Sequence, residues 1–498
     1  MRRRRIAVAV LAGLVVLAAV GGAMVVGRRD AALPRSRPDV VVIMTDDQTL
    51  ASMRFLPRTN RLLGARGTTF TDAVVSFPNC CPSRATFLTG QYAHNTGVLD
   101  NVAPAGGFAK LDSSETLPVW LQRSGYWTAS IGKYLNGWGQ DGAIQPPPGW
   151  NRWFGLIDPT TYSYFGFQAS DQGRRVRFAN RPQDYSTDVV ARTAVSAIER
   201  APSGKPLFMQ VTPLAPHVQT PERATNGKAI LSTPVPAPRD KGTMAGVPLP
   251  RPPSFDEADT SDKSPQIARP RIGARDLAYL RRYWEAEIES LQAVDRLVES
   301  VVGALERSGR LDRSVVMFTS DNGLFHGEHR IRTAKFYLYE PAVRVPLVIR
   351  GGPFAAGRRI GAPVANVDLA PTILDLTGAR PPASFTQDGR SLVGLVRDPG
   401  ALARRGVLLE NQYLLPDGSA RRTVAIRTAR WKLIVWDDGW EELYDLRADP
   451  DEVTSLARDP ALARTKADLR ARLETLRRCR GRSCEGWQAL PSSGGRGG

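Results

Sequence analysis

Three apolar runs of strand length constrain the fold of this chain more than any other feature. Val40-Val41-Val42-Ile43-Met44, Leu207-Phe208-Met209-Gln210-Val211 and Val315-Val316-Met317-Phe318 lack the polar alternation of a half-exposed strand. Near-continuous apolar runs of this length belong to strands covered on both faces, as in parallel sheets. Helical patterns lie between them. The clearest extends from about Leu277 to Glu306, with Tyr283, Ile288, Leu291, Val294, Leu297 and Val301 at helical spacing. This alternation predicts an α/β fold with a central sheet covered by helices on both faces.

The 498 residues suffice for one large domain and a smaller one, or for two or three ordinary domains. Arg2 to Arg5 precede an uncharged segment from Ile6 to Val26, and Arg28-Arg29 follow. A basic cluster ahead of an apolar core reads as an export signal. The core is long enough to come close to spanning a bilayer, so membrane anchoring by residues 6–26 stands as the alternative. Either reading puts the rest of the chain outside the cytoplasm, secreted or held on the outer face of the membrane. The four arginines loosely fit a twin-arginine route. Residues 1–36 are thus signal or anchor plus linker, and residues 37–399 form the main domain. Within it, 222–272 is rich in Pro and polar residues and reads as a surface insertion. From about residue 400 the texture changes. Thr423 to Arg427 and Trp431 to Trp436 look like paired strands, and Arg464 to Arg477 like a helix. The expectation for 400–498 is a small α+β domain with an antiparallel sheet.

The net charge of +18, from 67 Lys and Arg against 49 Asp and Glu, favours anionic partners. The basic residues are scattered and form no reader motif, which argues against nucleic acid. Only four cysteines occur. Cys479 and Cys484 close a short loop and are either a disulfide of an oxidising compartment or two free thiols. No other Cys or His lies near them in sequence to complete a zinc site.

Chemistry-bearing residues follow the strands. Asp46-Asp47 directly follow the first apolar run and Asp321-Asn322-Gly323 follow the third. Ligands of open α/β sheets bind just beyond the carboxyl ends of the strands. Four oxygen-bearing side chains gathered there suit calcium or magnesium; taken singly, an Asp at a strand end is a turn or helix cap. Lys133 follows Ala129-Ser130-Ile131-Gly132, and His217 follows the second run by way of Thr212 to Pro216. The four histidines His94, His217, His326 and His329 all lie in or beside these segments, as structural residues or as acid–base groups. In Cys80-Cys81-Pro82-Ser83-Arg84, Pro82 is suited to open a helix. Cys80 then sits beside a helix N-terminus, with Arg84 one turn on, which allows a cysteine nucleophile or an anion pocket.

Cys80-x-Pro82-Ser83-Arg84 followed by Leu88-Thr89-Gly90 resembles the signature of the sulfatase family. Asp46-Asp47, Gly132-Lys133, Pro216-His217, Ser320-Asp321-Asn322-Gly323, Lys335 before Tyr339-Glu340, Asn366 to Thr372 and Glu442 to Leu446 are similar in order and spacing. The double cysteine, Tyr92-Ala93-His94-Asn95, Lys133-Tyr134-Leu135-Asn136 and Pro250 to Phe255 look like the glucosamine-6-sulfatase-like branch.

The resemblance implies an alkaline-phosphatase-like α/β fold, with a large central mixed, mostly parallel sheet. It implies hydrolysis of a sulfate ester, of a sulfated sugar or an aryl sulfate. Cys80 would be converted to formylglycine by a formylglycine-generating enzyme. Asp46, Asp47, Asp321 and Asn322, with modified Cys80, would hold Ca2+ or Mg2+. The hydrated aldehyde would attack sulfur and later expel sulfate. Arg84, Lys133 and Lys335 would neutralise the sulfuryl oxygens, and His217 would protonate the leaving alcohol. One position departs from many family members: the histidine two residues after the lysine is Leu135 here. His94, His326 and His329 are candidate replacements for it, and His94, Asn136 and His329 are candidate substrate contacts. A phosphonate or phosphate ester hydrolase on the same fold is the competing reading, followed by an inactive surface-binding protein.

Overall fold

The computed structural model describes residues 37–220, 232–402, 404–414 and 420–485. The first apolar run forms the strand Asp39–Thr45, buried along its whole length. Alternate residues of that strand point to opposite faces. Val40, Val42 and Met44 join a core with Phe87, Leu88, Leu117, Trp120 and Leu369. Val41 and Ile43 join a core with Val189, Val190, Leu291, Val294 and Leu297. Helices Cys80–Thr89, Leu117–Arg123 and Leu369–Thr377 therefore cover one face. Helices Ser186–Arg200 and Ala274–Arg307 cover the other. A strand packed on both sides has no position for a solvent-facing polar residue, which is why the run is continuous.

Among the described residues the sheet has ten strands. In spatial order they are Arg358–Ile360, Thr68–Phe70, Leu347–Arg350, Ser314–Ser320, Asp39–Thr45, Leu207–Thr212, Trp127–Gly132, Arg152–Leu156, Gln168–Asp171 and Arg174–Arg177. The five from Ser314–Ser320 to Arg152–Leu156 run parallel. The flanks are mixed. Leu347–Arg350 is antiparallel to both its neighbours, and Gln168–Asp171 and Arg174–Arg177 form an antiparallel hairpin. Both outermost strands are short and arginine-rich, a composition that blunts edge-to-edge association.

A second, four-stranded antiparallel sheet runs Val407–Leu414, Ala420–Arg427, Trp431–Val435 and Glu441–Asp445. Leu469 and Leu473 of helix Ala463–Leu476 share its core with Ile426 and Leu433, and that core continues into Val74, Tyr92, Tyr339 and Ala342. Largely buried ion pairs reinforce the join. Arg427 contacts Asp72 at 2.6 Å and Glu340 at 2.8 Å, and Lys432 contacts Glu340 at 3.0 Å and Glu452 at 2.8 Å.

Residues 232–273 are largely irregular, as their Pro content implies, but they do not simply lie on the surface. Lys263 is buried, and its Nζ donates to Glu257, Asp262 and the carbonyl of Val453 at 2.7, 3.2 and 2.8 Å. Ser264 N donates to Glu442 Oε1 at 2.8 Å. Ser264 thus bonds to the four-stranded sheet and Lys263 to the loop after it, so polarity does not by itself signal exposure here. The export or anchor reading of residues 1–36 lies outside the described residues. Among the described residues no helix is long and apolar enough to cross a membrane. Cys479 and Cys484 are joined as a disulfide, which decides between the two alternatives for that pair.

Candidate active site

Four adjacent parallel strands deliver side chains to one place. Thr45 is in register with Ser320, so Asp46 and Asp321 leave the sheet side by side. Lys133 N donates to Thr212 O at 2.8 Å, which fixes the exit of Trp127–Gly132 beside that of Leu207–Thr212. Gly132 has φ 119°, and a Cβ there would lie 2.1 Å from the Thr212 carbonyl, so this turn into Lys133 requires glycine. Asp47 sits at φ 65°, in the left-handed region that Asp tolerates better than most residues.

The helix Cys80–Thr89 brings in the fifth component. Asn79 caps it, its side chain accepting from Cys80 N at 3.0 Å. The helix thus starts at Cys80 itself, two residues before Pro82. Pro82 occupies the first turn, where an amide hydrogen has no intrahelical acceptor to lose. Cys80 is fully buried. Its Sγ lies 3.3 Å from Asp46 Oδ1, 4.0 Å from Asp47 Oδ1 and 2.8 Å from Lys335 Nζ. Burial, and then the Asp46 carboxylate, push the thiol well above its ordinary value against the pull of Lys133 and Lys335. The unmodified side chain is a neutral thiol, despite its place at a helix N-terminus.

Three cations face three carboxylates around it. Lys133 Nζ donates to Asp46 Oδ2 at 2.6 Å, Lys335 Nζ to Asp47 Oδ1 at 2.5 Å, and Arg84 Nε to Asp321 Oδ2 at 2.8 Å. Burial acts to raise Asp46, but Lys133, His217 and Arg84 hold it well below the usual carboxylate range. Burial and the neighbouring Asp46 push Asp321 the other way, up to about 6. Asp46, Asp47, Cys80 and His217 each place a ligand atom within 4.8 Å of the others. Asp321 is tied to this group through Asp47 N at 3.1 Å, and Asn322 donates to Asp47 Oδ1 at 2.6 Å. The second Asn322 atom, Oδ1, is buried without a hydrogen-bond partner. A buried orphan acceptor beside clustered carboxylates fits a hard cation.

His217 joins the cluster from the loop after Leu207–Thr212. Its Nδ1 donates to Val218 O at 2.6 Å, which leaves Nε2 facing Asp47 Oδ2 at 3.6 Å. Burial holds it below its ordinary value against the raising effect of Asp47.

The remaining histidines bond elsewhere. Both ring nitrogens of His94 are engaged, by Glu410 Oε1 and by the Cys479 carbonyl, each at 2.9 Å. His94 lines a cavity of about 390 Å3 with Glu410, Arg422 and Trp436. His329 is buried, with Nδ1 2.7 Å from Glu257 Oε2 and its ring 4.5 Å from that of Tyr339. His326 pairs with Glu287 at 2.7 Å. Leu135 is 2% exposed within the main core. Asn136 reaches the cluster indirectly, donating to the Tyr162 hydroxyl at 2.6 Å. The ring of Tyr162 lies 4.7 Å from Lys133 Nζ and 5.1 Å from the His217 ring. Sequence reasoning missed Tyr162, because a tyrosine in the single 3-10 turn Thr160–Tyr162 carries no periodic or motif signal.

The chain matches the sulfatase family over residues 38–379 and the family of N-sulphoglucosamine sulphohydrolase C-terminal regions over 327–479. It is 33% identical to an arylsulfatase of Volvox carteri, over 93% of this chain and 78% of that protein. It is 32% identical to the N-acetylglucosamine-6-sulfatase of Homo sapiens, over 90% of this chain and 86% of that one. Its fold is similar to that of BT4656 solved in complex with its substrate D-glucosamine-2-N,6-O-disulfate. The TM-score is 0.71 at 25% identity, covering 88% of this chain and 97% of the other. With a neutral Cys80 enclosed by strand-end carboxylates and cations, and with the family matched over most of its length, this chain belongs to the sulfatases and is a sulfuric ester hydrolase.

Proposed function

We propose that the protein hydrolyses the sulfate ester of a sulfated sugar, using formylglycine made from Cys80 and a divalent cation, calcium foremost. The observation that carries this reading is the composition of the buried cluster. Cys80 lies among three carboxylates, Asp46, Asp47 and Asp321, and three cations, Arg84, Lys133 and Lys335. These formal charges cancel, so a divalent cation leaves the site at +2, a potential that draws in an anionic ester. Asp46, Asp47, Asp321 and the orphan Oδ1 of Asn322 are the oxygen donors for it, with the side chain at position 80. Bound there, the cation supplies Lewis-acid polarisation of oxygen. Formylglycine supplies, as its hydrate, an oxygen nucleophile in place of a thiol that the site keeps neutral.

The chain's own residues do the rest. Arg84, Lys133 and Lys335 bind the sulfuryl oxygens and stabilise charge that develops on them. The Nδ1 bond to Val218 orients His217 so that Nε2 is free to take up a proton and give it to the leaving alcohol. Relatives named N-acetylglucosamine-6-sulfatase and the glucosamine disulfate complex favour a 6-sulfated glucosamine as the substrate to try first. The Cys479–Cys484 disulfide favours an exported protein, secreted or anchored. A formylglycine-generating enzyme is then a required partner in maturation.

Mass spectrometry of the Cys80 peptide from the native host tests the nucleophile. Sulfate release from 4-nitrophenyl sulfate and from N-acetylglucosamine 6-sulfate tests the reaction. The expected result is conversion of Cys80 and release of sulfate. Unmodified Cys80 with no sulfate release, or turnover of a phosphonate monoester alone, overturns the reading.

A further inference from the structure

A cavity of about 510 Å3 adjoins the reactive cluster, lined among others by Asn101, Val102, Asn136, Asp141, Asp158 and Tyr162. Its volume suits one substituted sugar ring. Two of its walls are tied to the cluster. Tyr162 packs against both Lys133 and His217. Asn101 Oδ1 accepts from Cys81 N at 2.8 Å, at the first turn of the helix that carries Cys80. A ring in this cavity therefore lies on the side of the cluster where Lys133 and His217 stand.

The charged groups of the cavity are carboxylates, set beside the amides of Asn101, Asn136 and Gln140. Asn136 is only 8% exposed, and its Oδ1 has no hydrogen-bond partner, while its Nδ2 holds the Tyr162 hydroxyl. Asp158 uses Oδ2 to accept from Gly137 N at 2.5 Å. Asp141 adds a second carboxylate. Among the described residues the lining contains no Lys, Arg or His, although the chain as a whole carries +18. Carboxylates, amides and an aromatic face suit the hydroxyl and amide groups of a sugar. Two carboxylates without a cation oppose a second anion.

We propose that this cavity is the subsite for the ring that carries the scissile sulfate, that Tyr162 and Asn136 contact that ring, and that Asp158 selects rings whose other substituents are uncharged. The proposal deepens the sugar-sulfatase reading and rests on it. It assigns the protein a preference for N-acetylglucosamine 6-sulfate over D-glucosamine-2-N,6-O-disulfate.

The test is kcat/KM of the modified enzyme for these two sugars and for 4-nitrophenyl sulfate. Wild type is expected to prefer the monosulfate by about tenfold or more. Asp158→Asn removes one carboxylate with little change of shape, and the preference is expected to shrink several-fold towards unity. A merely structural role would lower both sugars alike and leave their ratio intact. Tyr162→Ala is expected to lower the sugar-to-aryl ratio of kcat/KM by about tenfold, with Tyr162→Phe restoring most of it. Equal wild-type activity on the two sugars, or a ratio unmoved by Asp158→Asn, overturns the subsite while the sugar-sulfatase reading stands. Activity on the aryl sulfate alone overturns the subsite and the sugar substrate. No release from any of the three overturns the proposed function as well.

Discussion

Leu135 stands where many sulfatases carry a second histidine, and its side chain is enclosed in the main core. Leu135→His therefore does not place a base in the site. It buries an imidazole among apolar groups, with an expected loss of roughly 2 kcal/mol in urea unfolding and no gain in turnover. His329 gives a second prediction at this scale. Burial holds His329 below its ordinary value of 6.5, although Glu257 pulls it upward. As pH falls through about 6.5 the unfolded chain takes up a proton there that the folded chain refuses, so stability declines with acid. His329→Gln should lose less melting temperature between pH 7 and pH 5 than wild type does. A larger loss in the variant would contradict this account. The four histidines looked alike in the sequence because position along the chain does not say where a side chain points. Only His217 faces the cluster, and its signal was the apolar strand ahead of it. Lys335 had no physical signal of its own and came from the resemblance.

Strand exits position the site, and they differ in how well the sequence announces them. Asp39–Thr45, Leu207–Thr212 and Ser314–Ser320 are legible because burial on both faces demands apolar residues throughout. The edge strands Arg174–Arg177 and Arg358–Ile360 are not, because exposure and charge make them resemble loops. The start of the Cys80 helix was read two residues late, since Pro82 is the visible marker and the Asn79 cap the decisive one. Gly132 is the element on which two exits depend. Gly132→Ala sets a Cβ against the Thr212 carbonyl and should cost roughly 2 kcal/mol or more, measured by urea unfolding. Sulfate release should fall with it, because Lys133 moves away from Asp46.

The whole molecule is held around the cluster by ions as well as by apolar contact. Glu340, just beyond Lys335, receives Arg427 and Lys432 from the four-stranded sheet. Its carboxyl is kept below its ordinary range by those two cations despite burial. Such buried networks are invisible in a sequence, where each member reads as an ordinary surface charge. The cation proposed for the site adds a global effect. A ligand that binds only the folded form stabilises it by mass action. Calcium should raise the melting temperature of the apo protein by a few degrees, and Asp46→Asn should abolish that shift. An identical calcium response in the variant would remove Asp46 from the ligand set.

Enclosure of Cys80 also sets a timetable. In the finished protein its sulfur is enclosed, so the formylglycine proposed above would have to be made on an open chain. Lys335, which touches that sulfur, comes 255 residues later. At ribosomal speeds of about 5–20 residues per second, Cys80 waits roughly 10–50 s before its last neighbour exists. The strands that shut it in pair Asp47 with Asp321 across 274 residues, so closure cannot begin early. The topology of the sheet thus keeps a maturation window open during synthesis, and its length is set by how late in the chain the closing residues are encoded.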